Sequence, residues 1–283
     1  MRWEGRRRSG NVEDVGGSGR GRGVVLGGGL GTLALVVVVM LLGGDPRAIL
    51  DMAGSGGGGP PAGEVTPVDP KKKEFVELVL ASTEDVWDAE FRALGRQYEQ
   101  PRLKIFSGGV ESGCGFASSQ VGPFYCPTDR TIYLDVAFFD ELDRKFGAPG
   151  DFAQAYVIAH EVGHHVQNLL GISDQLNQAR GRVSESEQNE LSVRLELQAD
   201  FLAGLWAKKG QGKGGYQLEM GDVEEGLAAA NAIGDDTLQK QARGHVVPDS
   251  FTHGSSEQRI RWFRKGYDTA DIRQGDTFRT NDL

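Results

Sequence analysis

Two histidines and a glutamate stand close together in the run His160-Glu161-Val162-Gly163-His164. Residues four apart lie on the same face of an α-helix, so both imidazole rings can reach one ion. Zinc binds imidazole nitrogen at about 2.0–2.1 Å and lowers the pKa of a bound water to about 7. Glu161 lies further round the helix, where it can take a proton from that water. The spacing predicts one Zn²⁺ per chain, with His160 and His164 as ligands and Glu161 as general base.

A helix predicted over residues 152–170 carries this motif and ends before Gly171. On a helical wheel most of its apolar side chains fall opposite the two histidines, with Val157 as the exception. The opposite face consists of Phe152, Ala155, Ile158, Ala159, Val162, Val166, Leu169 and Leu170. One face therefore packs on a core while the other presents two imidazoles and a carboxylate. A pair of ordinary core histidines would not explain that placement.

A catalytic zinc site needs a third protein ligand, and the candidates are His165, His245, His253 and the acidic residues. His165 follows His164 directly and lies about 100° round the helix. We therefore expect His165 on the surface or in a supporting role and look for the third ligand elsewhere.

The stronger candidate is Glu196, which lies four residues before Asp200 in a second long helix. This helix is predicted over residues 184–209 and opens with a capping box, Ser184-x-x-Glu187. Apolar residues flank the two acids, so the acids are expected to be partly buried and to need partners. We expect Glu196 to be the third ligand, and Asp200 to accept a hydrogen bond from the free N–H of a ligand histidine. The alternative is an exposed charged edge, because several other acids precede Glu196.

Six short runs resemble the gluzincin type of zinc peptidase and, more narrowly, the bacterial predicted neutral zinc metallopeptidases. The runs are Cys114-Gly115, Val121-Gly122-Pro123-Phe124-Tyr125-Cys126-Pro127, Tyr133-Leu134-Asp135, His160-Glu161-Val162-Gly163-His164-His165-Val166-Gln167, Glu196-Leu197-Gln198-Ala199-Asp200 and His253-Gly254-Ser255-Ser256-Glu257-Gln258-Arg259. The resemblance implies a membrane-anchored, zinc-dependent peptidase with a zincin-like domain that acts on a peptide or protein substrate.

Two other functions stay open at this point. The first is a non-catalytic, zinc-containing scaffold or binding protein of the cell envelope, against which the intact Glu161 argues. The second is a zinc amidase that acts on a non-protein amide such as cell-wall peptide.

Two further residues near the motif have alternative interpretations. His253 either donates a hydrogen bond to the oxyanion of the reaction or packs in front of a helix that Ser255 or Ser256 caps. Tyr156 stands one turn before His160 and falls near the ligand face, where it could serve either the structure or the chemistry.

The remaining pattern predicts an α+β domain, mainly helical with a small sheet. Further helices are expected over 84–98, 138–146, 221–233 and 256–265, and strands over 103–106 and 131–135. The strand 131–135 precedes the motif helix, and by analogy we expect it to be an edge strand that pairs with an extended peptide.

The N-terminal quarter differs in composition from the rest. Residues 1–22 contain six Arg and three acids, and Gly23–Gly44 is an uncharged run long enough to cross a bilayer. The positive-inside rule then predicts a basic cytoplasmic stub (1–22), a single transmembrane anchor (23–44), a Gly/Pro-rich linker (45–69) and an extracytoplasmic metallopeptidase domain (70–283). A cleavable signal peptide is the rival interpretation of the apolar run.

The two cysteines and the net charge agree with this location. Cys114 and Cys126 enclose a short Gly/Ser/Pro-rich loop, and outside the cytoplasm we expect them to form a disulfide bond. The alternative is two unpaired, small apolar side chains. The net charge of −9 argues against a nucleic-acid partner, since such proteins carry a basic face.

Overall fold

The computed structural model describes residues 1–16, 68–179, 182–212 and 215–283. Its helices, numbered here in chain order, are α1 (Pro70–Ala93), α2 (Ala137–Arg144), α3 (Asp151–Leu170), α4 (Ile172–Ala179), α5 (Glu185–Lys209), α6 (Asp222–Ala232), α7 (Asp235–Arg243) and α8 (Ser256–Thr269). Its strands are β1 (Val12–Asp14), β2 (Arg102–Phe106), β3 (Gly109–Ser112), β4 (Gly115–Ser118), β5 (Phe124–Cys126) and β6 (Thr131–Asp135). The mixed, mainly helical fold class is thus confirmed.

The two long helices α3 and α5 pack directly against each other, and glycine allows their close approach. A Cβ atom on Gly163 of α3 would lie 3.1 Å from both the Cα and the carbonyl oxygen of Ala199 on α5. A Cβ on Gly204 of α5 would lie 2.0 Å from the carbonyl oxygen of Phe263 on α8. Helix α5 therefore lies between α3 and α8, with backbones in contact at both crossings. This arrangement brings the side chains of all three helices to one place.

The larger sheet has the strand order β1-β2-β6-β5. Strand β6 pairs in parallel with β2 and antiparallel with β5, and all five of its residues are buried. The expectation that 131–135 is an edge strand is therefore wrong, because both of its edges carry ladder hydrogen bonds. Among the described residues the strand at this end of the sheet is β5. Strands β3 and β4 form a separate hairpin.

Residues 1–16 pack against the domain. Strand β1 pairs in parallel with β2, which extends the sheet at its other end. Arg7, Ser9 and Asn11 all donate hydrogen bonds to the carboxylate of Glu84 on α1, which is 1% exposed. The prediction of a separate basic stub is therefore wrong for residues 1–16. Buried Glu84 on α1 needs partners, and this segment supplies them.

Helix α1 begins at Pro70, where the side chain of Asp69 caps it by accepting from the Lys71 N–H. The sequence predicted this helix over 84–98, whereas it spans Pro70–Ala93, and its first half packs in the core through residues such as Phe75 and Leu80. The proposed membrane span 23–44 and most of the linker 45–69 lie outside the described residues. Among the described helices none combines the length and the apolar character that crossing a membrane requires.

Candidate metal centre

His160, His164 and Glu196 come together where α3 and α5 cross. Nε2 of His160 lies 3.1 Å from Oε2 of Glu196, and Nε2 of His164 lies 3.4 Å from Oε1. One donor atom from each residue lies within 4.8 Å of the other two. The edge of a tetrahedron around zinc, with ligands at about 2.0–2.1 Å, is about 3.3 Å long. Each imidazole nitrogen lies at about this separation from one of the two carboxylate oxygens, so two nitrogens and the carboxylate of Glu196 fit the donor set of a zinc ion. Glu196 lies where the sequence predicted it.

Asp200 lies behind His160, one turn beyond Glu196 on α5. Its Oδ1 is 2.9 Å from Nδ1 of His160, so this nitrogen carries the proton and Nε2 points to Glu196. Burial by itself lowers the pKa of His160, but the charges and hydrogen bonds of Asp200 and Glu196 outweigh it and raise that pKa to about 10. A cation at this position, whether a proton or a metal ion, is therefore strongly favoured.

Asp200 is completely buried and is held by two further residues. Nε of Arg259 on α8 donates to Oδ2 at 2.9 Å, and Nη2 donates to Oδ1 at 3.1 Å. The hydroxyl of Tyr156 also donates to Oδ1 and accepts from Nη2 of the same arginine. Burial favours the neutral carboxyl, yet Arg259 and His160 lower the pKa of Asp200 below its ordinary value. Tyr156 thus has a structural role in fixing the orientation of His160.

In His164 and Glu196, too, burial and the neighbouring charges shift the pKa in opposite directions. Burial lowers the pKa of His164, but the carboxylate of Glu196 raises it above the ordinary value. Burial likewise favours the neutral form of Glu196, and the two histidines hold the pKa of this carboxyl well below its usual range. The centre is therefore an anionic carboxylate facing two imidazole nitrogens.

Glu161 and His253 lie outside the set of three candidate ligand atoms. Glu161 is 8% exposed and follows His160 directly in α3. His253 precedes α8, and its charge is among the lesser causes that lower the pKa of Glu196. Ser255 caps α8 through a capping box with Gln258, as one of the sequence alternatives predicted.

Asp235 holds His253 in place, and sequence reasoning did not identify it. One oxygen of this buried carboxylate accepts the backbone N–H groups of Thr252 and His253 at 2.7 Å and of Gly254 at 3.1 Å. The other oxygen lies 3.3 Å from Nδ1 of His253. Burial lowers the pKa of His253, whereas Asp235 and Glu196 raise it above its ordinary value.

His165 is buried and belongs to the support of α3 rather than to the metal centre. Its Nδ1 lies 3.0 Å from the hydroxyl of Tyr125 on β5, and its Nε2 lies 2.6 Å from the carbonyl oxygen of Glu99. Burial lowers the pKa of His165 to about 4. The supporting role is the correct one of the two that the sequence allowed. The disulfide between Cys114 and Cys126 is present and joins β5 to the turn before β4.

Arg259 is the other residue of the site whose role the sequence left unassigned. It stands in the last run of the family resemblance, and it lies 59 residues from Asp200 in the chain. A buried acid next to a ligand histidine needs a cationic or polar partner, and that need is the signal that could have pointed to it.

Comparisons with known proteins agree with this geometry. The model of a family described as "Putative neutral zinc metallopeptidase" matches residues 1–278. The chain is 48% identical over 288 residues to "Uncharacterized protein YpfJ" of Escherichia coli K12, covering 98% of this chain and 99% of that protein. It is 45% identical over 218 residues to "Uncharacterized protein Rv2575" of Mycobacterium tuberculosis H37Rv, covering 74% of this chain and 73% of that protein. No solved structure matches the chain.

Proposed function

Because the chain belongs to this family of zinc metallopeptidases, we propose that it hydrolyses peptide bonds at the zinc site of His160, His164 and Glu196. The observation that carries the proposal is the convergence of His160, His164 and Glu196, with each imidazole Nε2 within 3.4 Å of an oxygen of the carboxylate. Glu161 directly follows His160 in the same helix. When bound, zinc supplies an acidified water and polarises the carbonyl of the substrate.

In this proposal Glu161 carries the proton of the reaction. It accepts a proton from the attacking water, and it then gives that proton to the amine that leaves. A carboxylate that is buried but is not itself a ligand suits this task, because it stays close to the water without occupying the metal. A protein that only binds zinc as a scaffold gains nothing from such a base.

His253 has the second chemical role in the proposal. It donates a hydrogen bond to the oxygen that becomes negative when water adds to the carbonyl. Asp235 accepts a hydrogen bond from Nδ1 of His253, so Nε2 is the ring nitrogen that can donate to this oxygen. Burial lowers the pKa of His253, but Asp235 and Glu196 raise it above its ordinary value, which favours the charged imidazole that would stabilise a negative oxygen.

A peptide could bind beside the metal along β5. This strand pairs with β6 on one side, and among the described residues no strand pairs with its other side. The hydroxyl of Tyr125 on β5 contacts His165 and Asn168 of the motif helix, so the strand lies next to that helix. An extended substrate that adds to this edge would be held by its backbone. This feature favours a peptide over the alternative of a zinc amidase for cell-wall peptide.

The test is a comparison of purified full-length protein with its Glu161→Gln and Glu185→Gln variants. Glu185 lies exposed at the start of α5 and serves as the matched control. We expect stoichiometric zinc in all three proteins, and cleavage of a mixed peptide library by the wild type and the control only. The loss in Glu161→Gln should be about 10²-fold or more. Undiminished cleavage by Glu161→Gln would overturn the mechanism. Stoichiometric zinc without cleavage by the wild type would favour the scaffold function, and cleavage of cell-wall peptide alone would favour the amidase.

For the location, we propose that the domain lies outside the cytoplasm and that the run 23–44 contacts the bilayer from that same side without crossing it. The disulfide supports an oxidising compartment. A single crossing between residues 16 and 68 would separate the N-terminal segment from the domain that it contacts, so we do not retain the cytoplasmic N-terminus. In intact cells an impermeant maleimide should label both Glu4→Cys and Glu257→Cys, at two exposed positions. Labelling of position 257 alone would contradict the shared side, and labelling of neither would contradict the extracytoplasmic location.

A further inference from the structure

The two ligand histidines are supported by different groups. The carboxylate of Asp200 accepts from Nδ1 of His160, whereas the carboxamide oxygen of Gln167 lies 2.9 Å from Nδ1 of His164. Gln167 is on the same helix as His164, three residues further on, and is completely buried. A carboxamide can present either its oxygen or its nitrogen to an imidazole, so its direction decides which histidine nitrogen carries hydrogen.

Backbone carbonyl groups fix the direction of the carboxamide of Gln167. Its Nε2 donates to the carbonyl oxygen of Leu195 at 2.7 Å, and a carbonyl oxygen can only accept. Its Nε2 also donates to Oε1 of Gln198 at 3.1 Å. Gln198 is oriented in turn, because its own Nε2 donates to the carbonyl oxygen of Gly275 at 2.8 Å. Reversing either carboxamide would place two acceptors or two donors against each other in a buried site.

We propose that Gln167 is a positioning residue that holds His164 with hydrogen on Nδ1 and the lone pair of Nε2 free for the metal. Oε1 of Gln167 has no hydrogen, so Nδ1 must be the donor. Nε2 then faces Oε1 of Glu196, 3.4 Å away. The assignment of the tautomer depends on the hydrogen bonds alone, and only its use in binding zinc rests on the proposed function.

The chain of contacts extends from the metal centre to the C-terminal segment. Leu195 and Gln198 are on α5, and Gly275 follows α8. His164 is thus oriented by a path through two neutral amides, while His160 is oriented by a charged carboxylate. Residues that orient a ligand histidine commonly contribute about 10–100-fold to metal affinity. We expect Gln167 to contribute within this range.

The experiment measures zinc affinity of the full-length protein by competition with a chromogenic chelator. Gln167→Met removes the acceptor with little change in size and should weaken zinc binding about 10–100-fold. Gln167→Glu keeps an oxygen facing Nδ1 but sets its second oxygen against the carbonyl oxygen of Leu195, so it should bind zinc more tightly than Gln167→Met and less tightly than the wild type. Gln154→Met, at a half-buried position on the same helix, is the matched control and should bind zinc like the wild type. Equal affinity of Gln167→Met and wild type would overturn the proposal.

A second measurement needs no substitution at Gln167. Side-chain ¹⁵N chemical shifts of His164 in the zinc-loaded protein, assigned with a His164→Gln variant, report which nitrogen carries hydrogen. Hydrogen on Nδ1 and a metal-bound Nε2 are expected, and the reverse would overturn the proposal. These readouts do not depend on turnover, so a failure of the peptidase proposal in the Glu161→Gln experiment remains distinguishable from a failure here.

Discussion

Removal of residues 2–16 should destabilise the domain by about 3–5 kcal/mol, because it breaks a buried, paired carboxylate site and removes the segment that covers it. Glu84 on α1 is 1% exposed and loses the hydrogen bonds that it accepts from Arg7, Ser9 and Asn11. The bond from Asn11 is 2.8 Å long and that from Arg7 is 2.9 Å. Loss of the β1–β2 ladder adds to this cost.

The cause can be separated from a general loss of contacts by a second substitution, Glu84→Met. In the full-length protein this change should be destabilising, because three donors then lack their acceptor. In the shortened protein the same change should be much less destabilising, because the three donors are already absent. The expected signature is therefore a strong non-additivity of the two changes. Glu111→Met, at an exposed position in the separate β3–β4 hairpin, provides the control.

The assays are denaturant unfolding and thermal unfolding followed by far-UV circular dichroism, a signal that does not depend on the loss of Trp3. A change of about 3–5 kcal/mol corresponds to a fall in Tm of about 6–20 °C for a chain of this size. Equal stability with and without residues 2–16 would refute the inclusion of this segment in the domain. An equal effect of Glu84→Met in both backgrounds would refute the role given to the buried carboxylate.

Three further predictions concern the metal centre. In the metal-free protein the folded-state pKa of His160 is raised to about 10. The charged imidazole therefore contributes its full stabilisation below about pH 6.5, and this stabilisation should be lost as the pH rises towards 10. Denaturant unfolding at a series of pH values would detect the loss. His253→Ala should lower kcat about 10²–10³-fold with zinc content unchanged, and Asp235→Asn should lower kcat by a smaller factor. An unchanged kcat for His253→Ala would show that His253 has no role in the mechanism. Arg259→Met should destabilise the protein by about 3–5 kcal/mol, because it leaves Asp200 without its cation. Arg259→Lys should not restore stability, because lysine lacks the planar guanidinium that donates to both oxygens of Asp200. Full stability of either variant would contradict this account.

The sequence predicted those parts of the site in which spacing along one helix determines the geometry. His160 and His164 are one helical turn apart, and so are Glu196 and Asp200, so each pair could be placed on one face without a structure. The capping box at Ser184 marked the start of α5 for the same local reason. What joined the two pairs was the family resemblance together with the need of buried acids for partners.

Partners that are distant in sequence could not be predicted in this way. Ser9 and Glu84 lie 75 residues apart. The six arginines of residues 1–22 predicted a signal for membrane orientation, not a segment of the folded domain. Arg259 and Asp235 come from helix ends that meet the site only through tertiary packing. The position of β6 in the sheet depended on β5, which the pattern did not reveal because its run Phe124–Cys126 is short and lies between turns.

The two positions of the motif that do no chemistry decide whether it can work. Val162 is completely buried and lies on the face of α3 that packs in the core, which sets the rotation of the two histidines. Gly163 faces the backbone of Ala199, and any Cβ there would lie 3.1 Å from atoms that cannot move without moving α5. Because Glu196 stands one turn before Asp200, on the stretch of α5 that Gly163 contacts, the separation of the two helices at this glycine also sets the distance from Glu196 to the imidazoles. In the run His160-Glu161-Val162-Gly163-His164 three residues thus provide the donors and the base, and the other two provide the rotation and the distance that bring a third ligand into reach.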